Sequence, residues 1–172
     1  ELMGVILNGG ERMPAYRLDK LVFAADTPYE ARLSQQPMNP VQVMNPDVAD
    51  ALKGALGEVV NNGTARRLQG AYHKVDGSPL NMGGKTGTGD NRLVSMGAGG
   101  QRTKGRALSR TATLVFYLGN DHFGTLTAFV SGSGAGDFRF TSALPAQTLK
   151  GMAPILDEAG KEMWEGLDAV TG

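Results

Sequence analysis

The apolar positions of this chain keep a helical period in some stretches and a strand period in others, and the changes outline its elements. Leu2, Met3, Val5, Ile6 and Leu7 run into Asn8-Gly9-Gly10, which reads as the last turns of a helix with a glycine stop. Residues 16–25 alternate loosely and predict a strand, with Leu18, Val22 and Phe23 as candidate buried positions. Pro28, Pro37, Pro40 and Pro46 punctuate residues 26–46, which predicts an extended surface loop. The clearest helix follows. Asn45 or Asp47 caps it, Pro46 suits its first turn, and Asn61-Asn62-Gly63 stops it. Val48, Leu52, Ala55, Leu56 and Val59 recur at spacings of three and four and predict one apolar stripe. Gly54 and Gly57 weaken this helix by about 1 kcal/mol each relative to Ala, unless close packing requires them.

Three strands are predicted next, over residues 81–89, 111–118 and 123–130. The second is β-branched and aromatic, and Gly119-Asn120-Asp121 turns it into the third as an antiparallel hairpin. Ser131-Gly132-Ser133-Gly134-Ala135-Gly136 reads as a flexible connection. Ser142 is placed to cap a last helix through about Leu156, with Pro154 bending or ending it. Residues 158–172 read as a polar tail whose acidic pairs, Glu162 and Glu165 among them, form a solvated face.

Composition narrows the function classes. The 172 residues suffice for one core, and 17 basic against 17 acidic side chains give no basic footprint for a nucleic-acid partner. Arg102, Lys104, Arg106 and Arg110 form the most basic stretch; beside Gly97, Gly99 and Gly100 they read as a solvated loop. The absence of cysteine excludes disulfides and cysteine-ligated metals. His73 and His122 stand without a neighbouring ligand pattern, so no metal or cofactor is expected. Tyr72 and Phe138 show no stacking pattern.

The candidate chemistry is concentrated in Gly83-Gly84-Lys85-Thr86-Gly87-Thr88-Gly89-Asp90. Glycines let a backbone approach an anion closely, the threonines offer hydroxyl donors, and Lys85 supplies one compact positive charge. A carboxylate or phosphate is the matching ligand. The end of a nucleotide-binding P-loop is present in Gly84-Lys85-Thr86, but Pro79 stands where that motif needs its first glycine. Proline has no N–H and would damage the phosphate cradle at its start.

Lys85-Thr86-Gly87 is also the third motif of the active-site serine transpeptidases and β-lactamases. The order Met38-Asn39-Pro40, a helix, Val59-Val60-Asn61-Asn62-Gly63-Thr64-Ala65, then Gly83-Gly84-Lys85-Thr86-Gly87-Thr88 resembles the C-terminal part of a penicillin-binding protein's transpeptidase domain. The bifunctional, class A kind resembles it most, over roughly residues 1–130. The resemblance implies an α/β (α+β) fold of the serine β-lactamase/DD-transpeptidase type, an antiparallel sheet flanked by helices. Residues 1–157 would form the C-terminal part of that domain. It implies that Lys85 supplies positive potential and takes part in proton transfer, and that Thr86 and Thr88 hydrogen-bond a substrate carboxylate. Gly87 would keep the strand surface clear, and the Thr88 N–H would complete an oxyanion hole.

The sequence departs from the family in one respect. None of Ser34, Ser78, Ser95, Ser109, Ser131, Ser133 and Ser142 begins a Ser-x-x-Lys or Ser-x-Asn motif. Both motifs are expected upstream of Glu1, so this chain is expected to carry part of an active site and to be inactive alone. Expected partners are peptidoglycan stem peptides, β-lactams and the upstream half of the domain. Expected localisation is the extracytoplasmic face of the bacterial inner membrane (periplasm), with membrane contact only through an upstream anchor. Within the fold, a carboxypeptidase or β-lactamase is the alternative; outside it, a non-catalytic peptide-binding or scaffold module. Asp90, Asn91 and Arg92 are candidates for the far end of the groove.

Overall fold

The computed structural model describes residues 1–15, 20–34, 39–74, 76–97, 99–101, 105–120 and 122–168, with side chains through residue 156. Leu18, Met38, Arg102, Lys104 and Asp121 lie outside the described residues. The chain divides into two compact units, Glu1–Leu52 and Lys53–Gly172.

In the first unit, α1 (Leu2–Leu7) buries Met3, Val5 and Ile6 and ends where Gly9 and Gly10 take φ of 60° and 92°. That is the glycine stop expected from the sequence. Beyond it, β1 (Glu11–Arg12) pairs antiparallel with β4 (Val41–Gln42). Residues 26–46 are not a bare loop. They contain β4 and also β3 (Ala31–Ser34), which pairs antiparallel with β2 (Lys20–Phe23). The β2–β3 turn is held by the Thr27 hydroxyl donating to the Ala24 carbonyl at 2.7 Å, and by the Asp26 N–H donating to Glu30 at 2.9 Å. Val22 and Phe23, expected inside, are exposed. All eight strand residues of this hairpin are exposed, so it has no apolar face for a pattern to reveal.

Helix α2 (Pro46–Asn61) begins as expected, with Asn45 Oδ1 accepting the Asp47 N–H at 2.8 Å. Its buried side is rotated from the predicted stripe. Val48, Leu52 and Ala55 are exposed, whereas Ala49, Gly57 and Val60 are buried. Gly63 ends the helix where a Cβ would lie 2.8 Å from the Val59 Cα, and the Ala65 N–H closes onto the Val59 carbonyl at 3.0 Å.

The second unit is built on a three-stranded antiparallel sheet in the order β5-β6-β7, formed by Met82–Leu93, Arg106–Leu118 and His122–Ser131. All three predicted strands are present and longer than predicted. Cross-strand partners share a face, so Met82, Thr86 and Thr88 lie with Leu118, Leu114 and Ala112. Helix α3 (Ala143–Asp168) covers this face. Leu149, Ala146 and Ala153 join Met82, Leu114 and Leu118 in one core with Val60, Leu68 and Tyr72. The Tyr72 hydroxyl, inside that core, donates to the Leu149 carbonyl at 2.6 Å.

Pro154 does not end α3, which continues to Asp168. Proline in a helix interior costs about 3 kcal/mol. Burying Leu149 and Ala153 before that defect, with Leu156 beyond it packed against the same core, supplies a compensating gain of similar size. The expected flexible connection after β7 contains a 3-10 helix, Ser133–Asp137, with Ala135 fully buried. Ser142 stands at the cap position of α3 as expected, its carbonyl accepting the Ala146 N–H at 3.3 Å, while the Ala143 N–H goes to Thr141 Oγ1 at 3.3 Å.

Candidate functional site

Lys85, Thr86, Gly87 and Thr88 occupy consecutive positions in the middle of β5, a strand with a strand partner on one side only among the described residues. A P-loop would need Gly84-Lys85-Thr86 in a loop entering a helix. Here those residues pair with Phe116, Val115 and Leu114 inside a regular ladder, which removes the nucleotide-cradle geometry.

The two ends of the motif differ in the space beside the backbone. At Gly83 a Cβ would lie 2.5 Å from the Tyr117 ring and 2.7 Å from backbone atoms of Leu56 and Gly57, so α2 presses directly on the strand. At Gly87 and Gly89 a Cβ would meet nothing within 4 Å. The face shared by Gly83, Lys85, Gly87 and Gly89 is therefore covered before the lysine and open after it.

Each polar side chain has a definite partner. The exposed Lys85 ammonium donates to the Thr86 carbonyl at 2.5 Å. Thr86 is buried, and its hydroxyl shares a hydrogen bond with the Thr64 hydroxyl at 2.6 Å. Thr64 lies in the Gly63-Thr64-Ala65 element, so the two halves of the sequence signature meet in space. Thr88 is exposed, and its Oγ1 accepts the Ser142 N–H at 2.9 Å. With a lone pair thus engaged, its own proton is left to donate.

Beyond Thr88 the strand end is charged. Arg110, on β6 opposite Asp90, donates Nη1 to Asp90 Oδ1 at 2.7 Å, and Nε and Nη2 to the Phe140 carbonyl at 2.8 and 2.6 Å. Its guanidinium also lies 5.7 Å from the Phe140 ring centre. The other Asp90 oxygen accepts Arg92 Nη2 at 2.9 Å. Arg92, and with it Arg110, holds the Asp90 carboxyl below the ordinary aspartate value, against the opposing effect of burial. Lys85, Arg92 and Arg110 against one carboxylate leave this part of the strand net positive, as an anionic ligand requires.

Arg110 and Ser142 were not candidates on sequence grounds. Burial in the first part of β6 falls on Ala107 and the polar Ser109 while Leu108 is exposed, so the apolar pattern held no signal for Arg110. Phe138, which showed no stacking pattern, packs edge-on against Phe140 at 6.4 Å. Arg92 is tied to Asp90 and remains half-exposed.

This mixed fold of helices and an antiparallel sheet is shared with solved penicillin-binding proteins. The chain is similar to penicillin-binding protein 3 of Mycobacterium tuberculosis in its apo form, over 93% of this chain at 19% identity and a TM-score of 0.55. The same protein complexed with ampicillin matches over 87% at 18% identity and 0.52, and complexed with aztreonam over 93% at 16% and 0.51. This chain spans about a third of that protein's length, 34% for the apo form. At such identities the likeness establishes the fold. No protein-family profile matches the chain, and no curated protein does.

Proposed function

We propose that this chain is the C-terminal part of a penicillin-binding peptidoglycan D,D-transpeptidase of the bifunctional, class A kind. The observation that carries the reading is the edge of β5, which has a strand partner on one side only among the described residues and carries the exposed Lys85 and Thr88. An extended peptide fits such an edge by adding a strand.

On this reading, the nucleophilic serine lies outside the chain. Its Oγ attacks the carbonyl of the penultimate D-alanine in a stem peptide. An ester forms, the terminal D-alanine leaves with a proton, and an amine of a neighbouring stem then displaces the serine. Lys85 stabilises negative charge developing beside that serine and assists its proton transfer. The Lys85 contact marks the Thr86 carbonyl as directed away from β6. Outward groups recur at every second residue of an antiparallel strand, so the Thr88 N–H points the same way. That N–H, with one from the nucleophile's own backbone, forms the oxyanion hole, where each donor contributes about 3 kcal/mol. Thr88 Oγ1 donates to the terminal carboxylate of the peptide, or to that of a β-lactam. Thr86 acts beside it, its hydroxyl set by Thr64. The reading places the protein at the extracytoplasmic face of a bacterial inner membrane, held by an upstream segment.

Intact mass after incubation with a labelled penicillin tests this, first with the chain alone and then with the separately expressed upstream segment. The expected result is an adduct on the upstream segment only when both are present. An adduct on this chain alone would make one of its own serines the nucleophile and overturn the proposal. So would the lack of any adduct in a mixture shown by circular dichroism to be folded.

A further inference from the structure

The Thr88 hydroxyl can serve a carboxylate only if its proton points outward, and a free hydroxyl rotates. Three features of the second unit remove that freedom. The Ser142 N–H, at the start of α3, fills the acceptor side of Thr88 Oγ1 at 2.9 Å. Two residues earlier, the Phe140 carbonyl receives two N–H groups from Arg110. A third Arg110 N–H is fixed on Asp90, the cross-strand partner of Arg110 and two residues beyond Thr88 on β5. The guanidinium therefore ties the strand that carries Thr88 to the segment that carries Ser142, with its side chain only 17% exposed.

We propose that Arg110 is a positioning residue for Thr88: by clamping Phe140 to Asp90 it sets the start of α3, so that the Ser142 N–H orients the Thr88 hydroxyl as a carboxylate donor. This rests on the reading of Thr88 as the carboxylate contact. The helix start adds partial positive charge behind the hydroxyl, and the N–H and O–H polarise one another in series. The device needs a planar fork. A lysine at position 110 keeps the charge and a bond to Asp90 but cannot also make the parallel pair of bonds to the Phe140 carbonyl. The site so built discriminates an ionised carboxylate from a neutral group of the same shape.

The test uses the isotopically labelled chain, with amide exchange at Ser142 and NMR titration with acetyl-D-alanyl-D-alanine and its C-terminal amide. The unaltered chain is expected to prefer the acid about tenfold, the effect of one charge-assisted hydrogen bond. Arg110→Lys and Arg110→Gln are expected to speed Ser142 exchange and abolish most of that preference, leaving affinity for the amide unchanged. Ser142→Pro removes the N–H at a position where a helix start tolerates proline, and is expected to lose the same preference with Arg110 and Asp90 intact. It also carries the test if an Arg110 variant fails to fold. Unchanged Ser142 exchange in folded Arg110 variants, or an acid preference surviving Ser142→Pro, would overturn the positioning role and spare the transpeptidase reading. Equal binding of acid and amide by the unaltered chain would instead overturn the assignment of Thr88, and the proposal with it.

Discussion

The two halves of β5 share one ladder with β6 yet are held by different forces. From Met82 to Thr86 the strand is mostly buried: Met82 enters the core, Gly83 and Gly84 are covered, and Lys85 alone reaches out. From Gly87 onward it is largely exposed, and its order comes from Thr88 to Ser142, Asp90 to Arg110 and Asn91 to Ser109. Dispersion and burial are short-ranged and leave no space, so the first half is a fixed wall. Hydrogen bonds and ion pairs leave an open flank beside them. The residues of the candidate chemistry straddle the changeover, where a rigid base meets room for a ligand.

The sharpest way to break this contrast is Gly83→Ala. Two of the three atoms its Cβ would approach are backbone of α2, at 2.7 Å, and cannot rotate away. Overpacking of this kind costs about 3 kcal/mol. A drop of that size is expected in the unfolding free energy from urea titration. A loss below about 0.5 kcal/mol, the range of ordinary surface substitutions, would show that α2 does not bear tightly on the strand.

The same contact explains which parts of the molecule the sequence disclosed. The start and stop of α2 were legible, because Asn45 and Gly63 act through local backbone geometry. Its buried face was not, because Gly57 is buried without any apolar side chain to announce it. Hydrophobic periodicity cannot register a face defined by the lack of a side chain. The β6–β7 hairpin was legible from β-branched alternation, and the lysine motif from its residue types. The β2–β3 hairpin exposes every strand residue and offered no period to read. Within the candidate site, Lys85 to Thr88 were legible as a linear string. Arg110 and Ser142 were not, because their roles arise from cross-strand register and from a helix start 54 positions beyond Thr88.

A smaller effect is expected from Asp90→Asn, at the polar end. The folded Asp90 carboxyl titrates below its ordinary value, chiefly through Arg92 and then Arg110. Its ionised form is therefore favoured by folding, and the stabilisation is fully present above the unfolded value of about 3.9. It is lost as pH falls through the folded value. The stability difference between unaltered chain and variant is expected to be constant from pH 7 to about pH 5 and to shrink below pH 4. Paired urea titrations across that range cancel the other carboxylates. Added salt should shrink the difference at neutral pH, since Arg92 is half-exposed. A gap that persisted undiminished at pH 2 would mean that Asp90 acts through shape and not through charge.

The smallest effect on stability is expected from Gly87→Ala, only four residues from Gly83. Its Cβ would meet nothing within 4 Å, and the backbone is not in the left-handed region that favours glycine. Stability should stay within about 0.5 kcal/mol of the unaltered chain, with a slight gain possible from the reduced freedom of the unfolded state. Ligand binding should respond in the opposite sense. A methyl group at this position projects from the open face beside the edge where an extended peptide would pair and crowds that peptide's side chains, so affinity for acetyl-D-alanyl-D-alanine is expected to fall about tenfold. Read by titration beside a thermal melt, this substitution separates the two properties that Gly83→Ala would merge. An alanine at Gly87 that neither destabilises the chain nor hinders the peptide would mean that the open face at Gly87 takes no part in binding.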